Sequence, residues 1–212
     1  GTLWLWGRNY AGELGQNQGQ GSYYSSPVQV PGTTWKHVSF GNYQTFATKT
    51  DGTAWGWGLN GYGSLGQNNT TRYSSPVQIT GTTWDVIYSS DEMSYGIKTD
   101  GTLWSWGNNE NGALGHNQSN NNASSPVQVP GTTWSSTPLT FGATQIGQCT
   151  ILMKTDGTLW GIGDNAKGQL GQNSVVKYSS PVQIPGTTWA TISAAGGFVM
   201  ASKTDGTLWA WG

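Results

Sequence analysis

Apolar positions in this chain come in short runs, each closed by Gly, Pro, Asn or Asp. Examples are Thr-Leu-Trp-Leu-Trp (Thr2 to Trp6), Thr-Phe-Ala-Thr-Lys (Thr45 to Lys49) and Val-Met-Ala-Ser-Lys (Val199 to Lys203). Thr, Trp, Phe, Val and Ile favour a pleated surface, so these runs predict strands. Successive strand residues point to opposite faces, which puts Trp4 and Trp6 on one face and Leu3 and Leu5 on the other. Neither face is polar, as expected of sheets stacked against one another; a half-exposed sheet would alternate apolar with polar. The residue between the two Trp is mostly small (Leu5, Gly56, Ser105, Gly161, Ala210), which suits close approach of a neighbouring sheet.

The runs recur. Gly-Thr-(Leu/Ala)-Trp begins at Gly1, Gly52, Gly101, Gly157 and Gly206, a period of roughly 50 residues that reads as propeller-like. Each period carries the same series of phrases. Trp-x-Trp-Gly supplies the repeat tryptophans Trp4, Trp6, Trp55, Trp57, Trp104, Trp106, Trp160, Trp209 and Trp211, with Ile162 replacing one member. Gly-x-Leu-Gly, Ser-Ser-Pro-Val-Gln-(Val/Ile) and Gly-Thr-Thr-Trp follow, and Lys-Thr-Asp-Gly closes the period. Asp-Gly ahead of a strand predicts a type I′ hairpin turn at Gly52, Gly101, Gly157 and Gly206. Four strands per period result, and the outermost carries Pro27, Pro76, Pro126 or Pro181, tolerated on an edge that needs no ladder donor. The organisation expected is a single repeat domain over 1–212, with repeats at 1–51, 52–100, 101–156 and 157–205 and a partial fifth at 206–212.

Asp-Gly-Thr-Leu-Trp-Ser-Trp-Gly-x-Asn-x-x-Gly-x-Leu-Gly, ending in Ser-Pro-Val, resembles the regulator of chromosome condensation repeat family, in particular its bacterial and bacteriophage members, over essentially the whole chain. The resemblance implies an all-β fold, a β-propeller of four-stranded antiparallel blades, most often seven. It also implies that this chain is part of a larger propeller, because its last Thr-Leu-Trp-Ala-Trp is surplus to a closed four-bladed ring. Members of the family act as guanine nucleotide exchange factors, inhibitor proteins and interaction platforms. The His-Thr that the family usually places before the first hairpin arm is absent: Gln44-Thr45, Met93-Ser94, Cys149-Thr150 and Phe198-Val199 stand there. The third period is longer between Trp134 and Lys154 and includes Pro138.

Charge narrows the function. Only 9% of residues are charged and the formal net charge is −1, so the basic footprint that grips a phosphate backbone is missing and nucleic acid is not an expected partner. No apolar segment approaches the ~20 residues that cross a bilayer, so membrane insertion is not expected. Cys149, the single cysteine, reads as a small buried hydrophobe. His37 and His116 are the only histidines; neither has neighbours that suggest a metal site, and His116 stands where other copies have Gln. No catalytic residue, cofactor or metal is expected, and the chain does not read as an enzyme. Among acids outside the hairpin phrase, Asp91 and Glu92 are adjacent and so point apart in a strand.

Function is expected where copies differ. Between Leu-Gly and Ser-Ser-Pro the loops read QNQGQGSYY, QNNTTRY, HNQSNNNA and QNSVVKY. They offer Tyr23, Tyr24, Asn69, Arg72, Tyr73, Asn120, Asn121, Lys177 and Tyr178 as binding residues. Tyr gives contact area at small entropic cost, and amides adapt their hydrogen bonds. FGNYQ, SSDEM and AAGGF form a second variable surface. The reading is a non-enzymatic interaction or adhesion propeller, extracellular, on a cell surface or in a virion tail or fibre. It would bind a protein or glycan, as part of a larger assembly. The alternative is a guanine nucleotide exchange factor-like regulator of a small GTPase.

Overall fold

The computed structural model describes residues 1–18, 21–90, 92–136, 140–144, 147–195 and 197–212. Asp91, Pro138 and parts of two variable segments (19, 20 and 196) lie outside the described residues. Every regular element among the described residues is a strand. A hairpin of β1 (Trp4–Asn9) and β2 (Ser22–Gln29) comes first. Two four-stranded sheets follow: β3 (Trp35–Phe40), β4 (Gln44–Lys49), β5 (Ala54–Gly58) and β6 (Tyr73–Ile79), then β7 (Trp84–Ser89), β8 (Met93–Lys98), β9 (Leu103–Gly107) and β10 (Ala123–Gln128). A third has β11 (Thr140–Thr144), β12 (Gly147–Met153), β13 (Leu159–Gly163) and β14 (Tyr178–Ile184). Last is a three-stranded sheet of β15 (Trp189–Ala195), β16 (Phe198–Lys203) and β17 (Leu208–Trp211). Each sheet is a meander in chain order, so the Pro-bearing strand lies at an edge as its chemistry requires. The chain divides into two compact units, one of 1–99, 104–108 and 122–127, the other of 100–103, 109–121 and 128–212.

In the first unit one cluster joins Leu3, Leu5, Leu14 and Val30 to Trp35, Ala47 and Trp57. Another joins Phe46, Leu65 and Ile79 to Trp84, Ile87 and Trp106. In the second, Ile151, Leu159, Leu170 and Ile184 pack with Trp189, Ile192 and Val199. Trp57 and Trp106 are fully buried; each such indole removes on the order of 200 Å² from water, about 5 kcal/mol before conformational entropy is subtracted. The small residue between the paired tryptophans has a specific neighbour. A Cβ on Gly56 would lie 2.9 Å from Phe46 on the adjacent strand of its own sheet, and one on Gly161 would lie 2.9 Å from Leu170. The close approach is therefore made by a side chain of the same repeat, and no neighbouring sheet is needed to explain it.

The Asp-Gly turns differ from the type I′ expectation. Gly52, Gly101, Gly157 and Gly206 have positive φ, but the aspartates before them do not. Gly52 N donates to Lys49 O at 3.0 Å and Lys49 N donates to Thr53 O at 2.9 Å. This is a three-residue Thr-Asp-Gly loop, a turn closed by one left-handed glycine. The register follows from the aspartate side chain, which leaves the turn and accepts from Thr two residues on: Thr53 N at 2.9 Å and Thr53 Oγ1 at 2.7 Å for Asp51. Asp100, Asp156 and Asp205 repeat the arrangement.

Candidate functional site

A meander of four strands sends its connections to alternate ends of the sheet. The β4–β5 turn and the β6–β7 connection leave from one end, the β3–β4 turn and the β5–β6 loop from the other. All Lys-Thr-Asp-Gly and Gly-Thr-Thr-Trp phrases occupy the first end. Both variable regions occupy the second, which the sequence had presented as two separate surfaces. They touch there: Leu59 N donates to Tyr43 O at 2.8 Å and Asn108 N to Glu92 O at 2.9 Å.

The constant end is a network that recurs from repeat to repeat. Trp55, Trp160 and Trp209 donate their indole N–H to the threonine that caps the turn aspartate, at 3.0–3.1 Å. Trp84 N donates to Gly52 O, Trp134 N to Gly101 O and Trp189 N to Gly157 O, so these three hairpin tips are tied to the next repeat. Asp51, Asp156 and Asp205 are held below the ordinary carboxyl value of 3.8, by the hydrogen bonds from Thr53, Thr158 and Thr207 and by the neighbouring lysines.

At the variable end a buried asparagine organises each loop. Asn9, Asn60, Asn109 and Asn165 are fully buried, and their side-chain oxygens accept from Leu14, Leu65, Leu114 and Leu170 N at 2.8–3.0 Å. Asn60 Nδ2 donates to Asn69 O and Thr71 O, and Asn165 Nδ2 donates to Ser174 O and Val176 O. The carbonyl of the residue before that leucine then accepts from the next repeat: Glu13 O from Trp57 Nε1 and Thr45 Oγ1, Ser64 O from Trp106 Nε1 and Ser94 Oγ. The Gly-x-Leu-Gly phrase is thus turn architecture. A Cβ on its first glycine, Gly63, would lie 2.5 Å from Ser124.

The sequence-chosen residues fall into two groups. Tyr24, Tyr73 and Tyr178 pack partly buried on the core clusters, opposite Gly7, Gly58 and Gly163 in the ladder. Asn69 is engaged within its loop by Gln67, Thr71 and Tyr73. Tyr23, Arg72, Asn120, Asn121 and Lys177 are exposed. Lys177 donates to Asn111 Oδ1 at 2.5 Å and lies 3.5 Å from Asp164.

A cluster that pattern reading named only in part, through FGNYQ, stands at the same end of the first unit. Arg8 lies 4.6 Å over the Tyr43 ring, donates to Asn42 O at 3.1 Å and reaches Glu13 at 3.7 Å, while Tyr10 packs 5.6 Å from Tyr43. Beside it is a groove of about 440 Å³ lined by Trp6, Phe40, Arg8, Glu13 and Asn42. Trp6 is 62% exposed and Phe40 57%. Phe40, Asn42 and Tyr43 belong to the variable segment FGNYQ, whereas Trp6, Arg8, Tyr10 and Glu13 lie outside the variable segments. Cys149 is buried, and desolvation with the nearby Asp164 charge pushes its thiol up to about 12. His37 is held below its ordinary value by burial, with its ring edge toward Tyr88 at 5.4 Å.

Consecutive four-stranded antiparallel sheets in register, tied tip to tip, are the blades of a β-propeller. The regulator of chromosome condensation (RCC1) repeat matches residues 1–48, 51–88, 100–136 and 156–202. These matches take in most of the chain, and it belongs to that repeat family. Over 69 residues the chain is 38% identical to the X-linked retinitis pigmentosa GTPase regulator homolog of Caenorhabditis elegans, covering 31% of this chain and 5% of that protein. Human WBSCR16 superimposes with a TM-score of 0.80 at 19% identity, over 97% of this chain and 55% of that one. Prp20p of Saccharomyces cerevisiae superimposes with 0.78 at 16% identity, over 100% of this chain and 54% of that one. At these identities the structural likeness shows the fold, and the chain spans about half the length of both.

Proposed function

We propose that this chain is a non-enzymatic interaction propeller whose variable end engages a protein or glycan on a cell or virion surface. One observation carries the reading: the loops that differ between repeats leave from one end of the sheets, and the phrases that do not differ leave from the other. A rigid scaffold with its individuality gathered at one end is the arrangement of a binding surface. The groove beside Arg8 suits a sugar, with exposed indole and phenyl faces next to a guanidinium and amides. The second reading is regulation of a small GTPase. It is favoured by the similarity to a GTPase regulator homolog and by Prp20p, whose structure was described with binding to Gsp1p and histones.

Two assays separate the readings. On immobilised glycan and surface-protein arrays the chain binds, and Arg72→Ala with Lys177→Ala weakens binding by roughly tenfold or more, as loss of interface anchors does. No binding on the arrays, together with accelerated nucleotide release from a small GTPase, would replace the first reading with the second.

A further inference from the structure

The first and last sheets differ from the others in complementary ways. Among the described residues the three middle sheets have four strands each, the first has β1 and β2, and the last has β15, β16 and β17. β5 and β13 are paired on both sides, by β4 and β6 and by β12 and β14. Their counterpart β1 is paired only by β2, and their counterpart β17 only by β16. Large apolar side chains stand exposed around both edges. Trp6 on β1 is one, although its counterparts Trp57 and Trp106 are fully buried; Met200, Leu208 and Trp209 on the last sheet are others. Unpaired edges of this kind are templates for pairing with another chain.

The core clusters define what fits beside β1. Phe46, from the second strand of one sheet, packs with Leu65, Ile79, Trp84 and Ile87. Ile151 holds the same place among Leu170, Ile184, Trp189 and Ile192. Both are fully buried. The cluster at the start of the chain has the matching Leu14, Val30 and Trp35, with Val38 packed on them, and its members come from no earlier second strand. The groove of about 440 Å³ lies there, against Leu14 and Val38. Phe46, Ile151 and Met200 each stand opposite the residue between the paired tryptophan positions: Gly56, Gly161 and Ala210. Met200 is therefore the counterpart of the two buried residues, and it is 38% exposed.

Residues 206–212 read Gly-Thr-Leu-Trp-Ala-Trp-Gly and residues 1–7 read Gly-Thr-Leu-Trp-Leu-Trp-Gly, so the strand that β16 pairs with and the strand with the free edge differ at one position. We propose that β1 and β2 of one copy of this chain take the place of β17 in a second copy, completing a four-stranded sheet with its β15 and β16. Val199, Met200 and Ala201, which stand opposite Trp211, Ala210 and Trp209, then stand opposite Trp6, Leu5 and Trp4. Trp6 reaches the carbonyl of Gln169, which accepts from Trp211 Nε1 at 2.9 Å, and Met200 enters the groove. Leu5 is larger than Ala210, and the unbranched methionine opposite it adapts. One β16 pairing replaces another, so the gain is burial: Trp6, Phe40 and Met200 leave water, while Leu208 and Trp209 of the released strand are more than half exposed already. A single copy does not achieve this for itself, since Trp6 and Met200 both stand exposed within it. Exchange of an identical element is a low-cost route to a dimer. A sugar in the groove and a second copy exclude each other there.

Light scattering on the chain at about 100 µM tests this. The mass expected is twice the 22.6 kDa of one copy. Trp6→Asp and Met200→Asp should each give the mass of one copy with the circular dichroism of the parent, because both side chains are exposed within a single copy. Mixed in equal amounts the two variants should pair, through the intact β1 of the Met200 variant and the intact β16 of the Trp6 variant. A parent with the mass of one copy, whether its ends stay open or close on each other, would overturn the proposal. So would pairing by either variant alone, or a mixture that does not pair.

Discussion

Thr34, Thr83, Thr133 and Thr188 hold φ between 63° and 67°, a region in which a β-branched residue is strained by about 1–3 kcal/mol. The strain persists because the residue is fixed on both sides. The carbonyl of Thr83 accepts from Thr99 N at 2.9 Å, and Trp84 N is tied to Gly52 O. The Thr83 hydroxyl donates back to Thr82 O, which offsets part of the cost. Thr83→Asn should therefore raise stability by about 0.5–1 kcal/mol, because asparagine accepts the left-handed region and the side chain is exposed; chemical denaturation measures it. His37 gives a second outcome at this scale. Its folded value lies below 6.5 because burial disfavours the charged ring. As pH falls through 6.5 the unfolded chain takes up the proton first, so stability declines between 6.5 and the depressed folded value. His37→Gln should flatten the thermal midpoint across that window. The hairpin turns show where residue-level reading stops. Asp-Gly announced a hairpin, but the aspartate acts through its side chain on Thr53, and that becomes visible only once the Lys49–Thr53 register is known.

Strands and their connections were largely legible, because Gly, Pro and alternating aromatics punctuate every repeat in the same order and the proline strand has only an edge to occupy. Loop interiors were less so. The asparagine of Gly-x-Asn-x-x-Gly-x-Leu-Gly looked like one more turn residue, yet Asn60 and Asn165 are buried and bind carbonyls 9 and 11 positions away, pairs that no local pattern announces. Gly107 tests this level. A Cβ there would lie 2.2 Å from Glu92 O, the carbonyl that receives Asn108 N where the two variable connections meet. Gly107→Ala should cost about 2–4 kcal/mol, since backbone must move as well as adopt an unfavourable φ. Trp106→Phe should destabilise less, through loss of the 2.7 Å bond to Ser64 O and of part of the ring. A Gly107→Ala melting curve matching the parent would contradict the packing described.

At the scale of the molecule, division of labour between the two ends of the sheets was only half legible. The sequence showed which segments vary and which repeat; that both variable sets share an end follows from strand count and pairing. The cluster at Arg8, Tyr10 and Tyr43 was legible only through Tyr43 in FGNYQ, because Arg8 on β1 and Tyr10 just after it join it only once the fold brings them beside the β3–β4 turn. The most direct test is a set of single substitutions read in parallel for thermal stability and for binding to the glycan or protein found on the arrays. Tyr23→Ala, Arg72→Ala, Asn121→Ala and Lys177→Ala from the variable end should lose binding with midpoints near the parent's, while Lys49→Met, Lys98→Met, Asp156→Ala and Lys203→Met from the constant end should lower the midpoint and leave binding intact. Binding losses that map to the constant end, with the variable-end substitutions silent, would contradict the account.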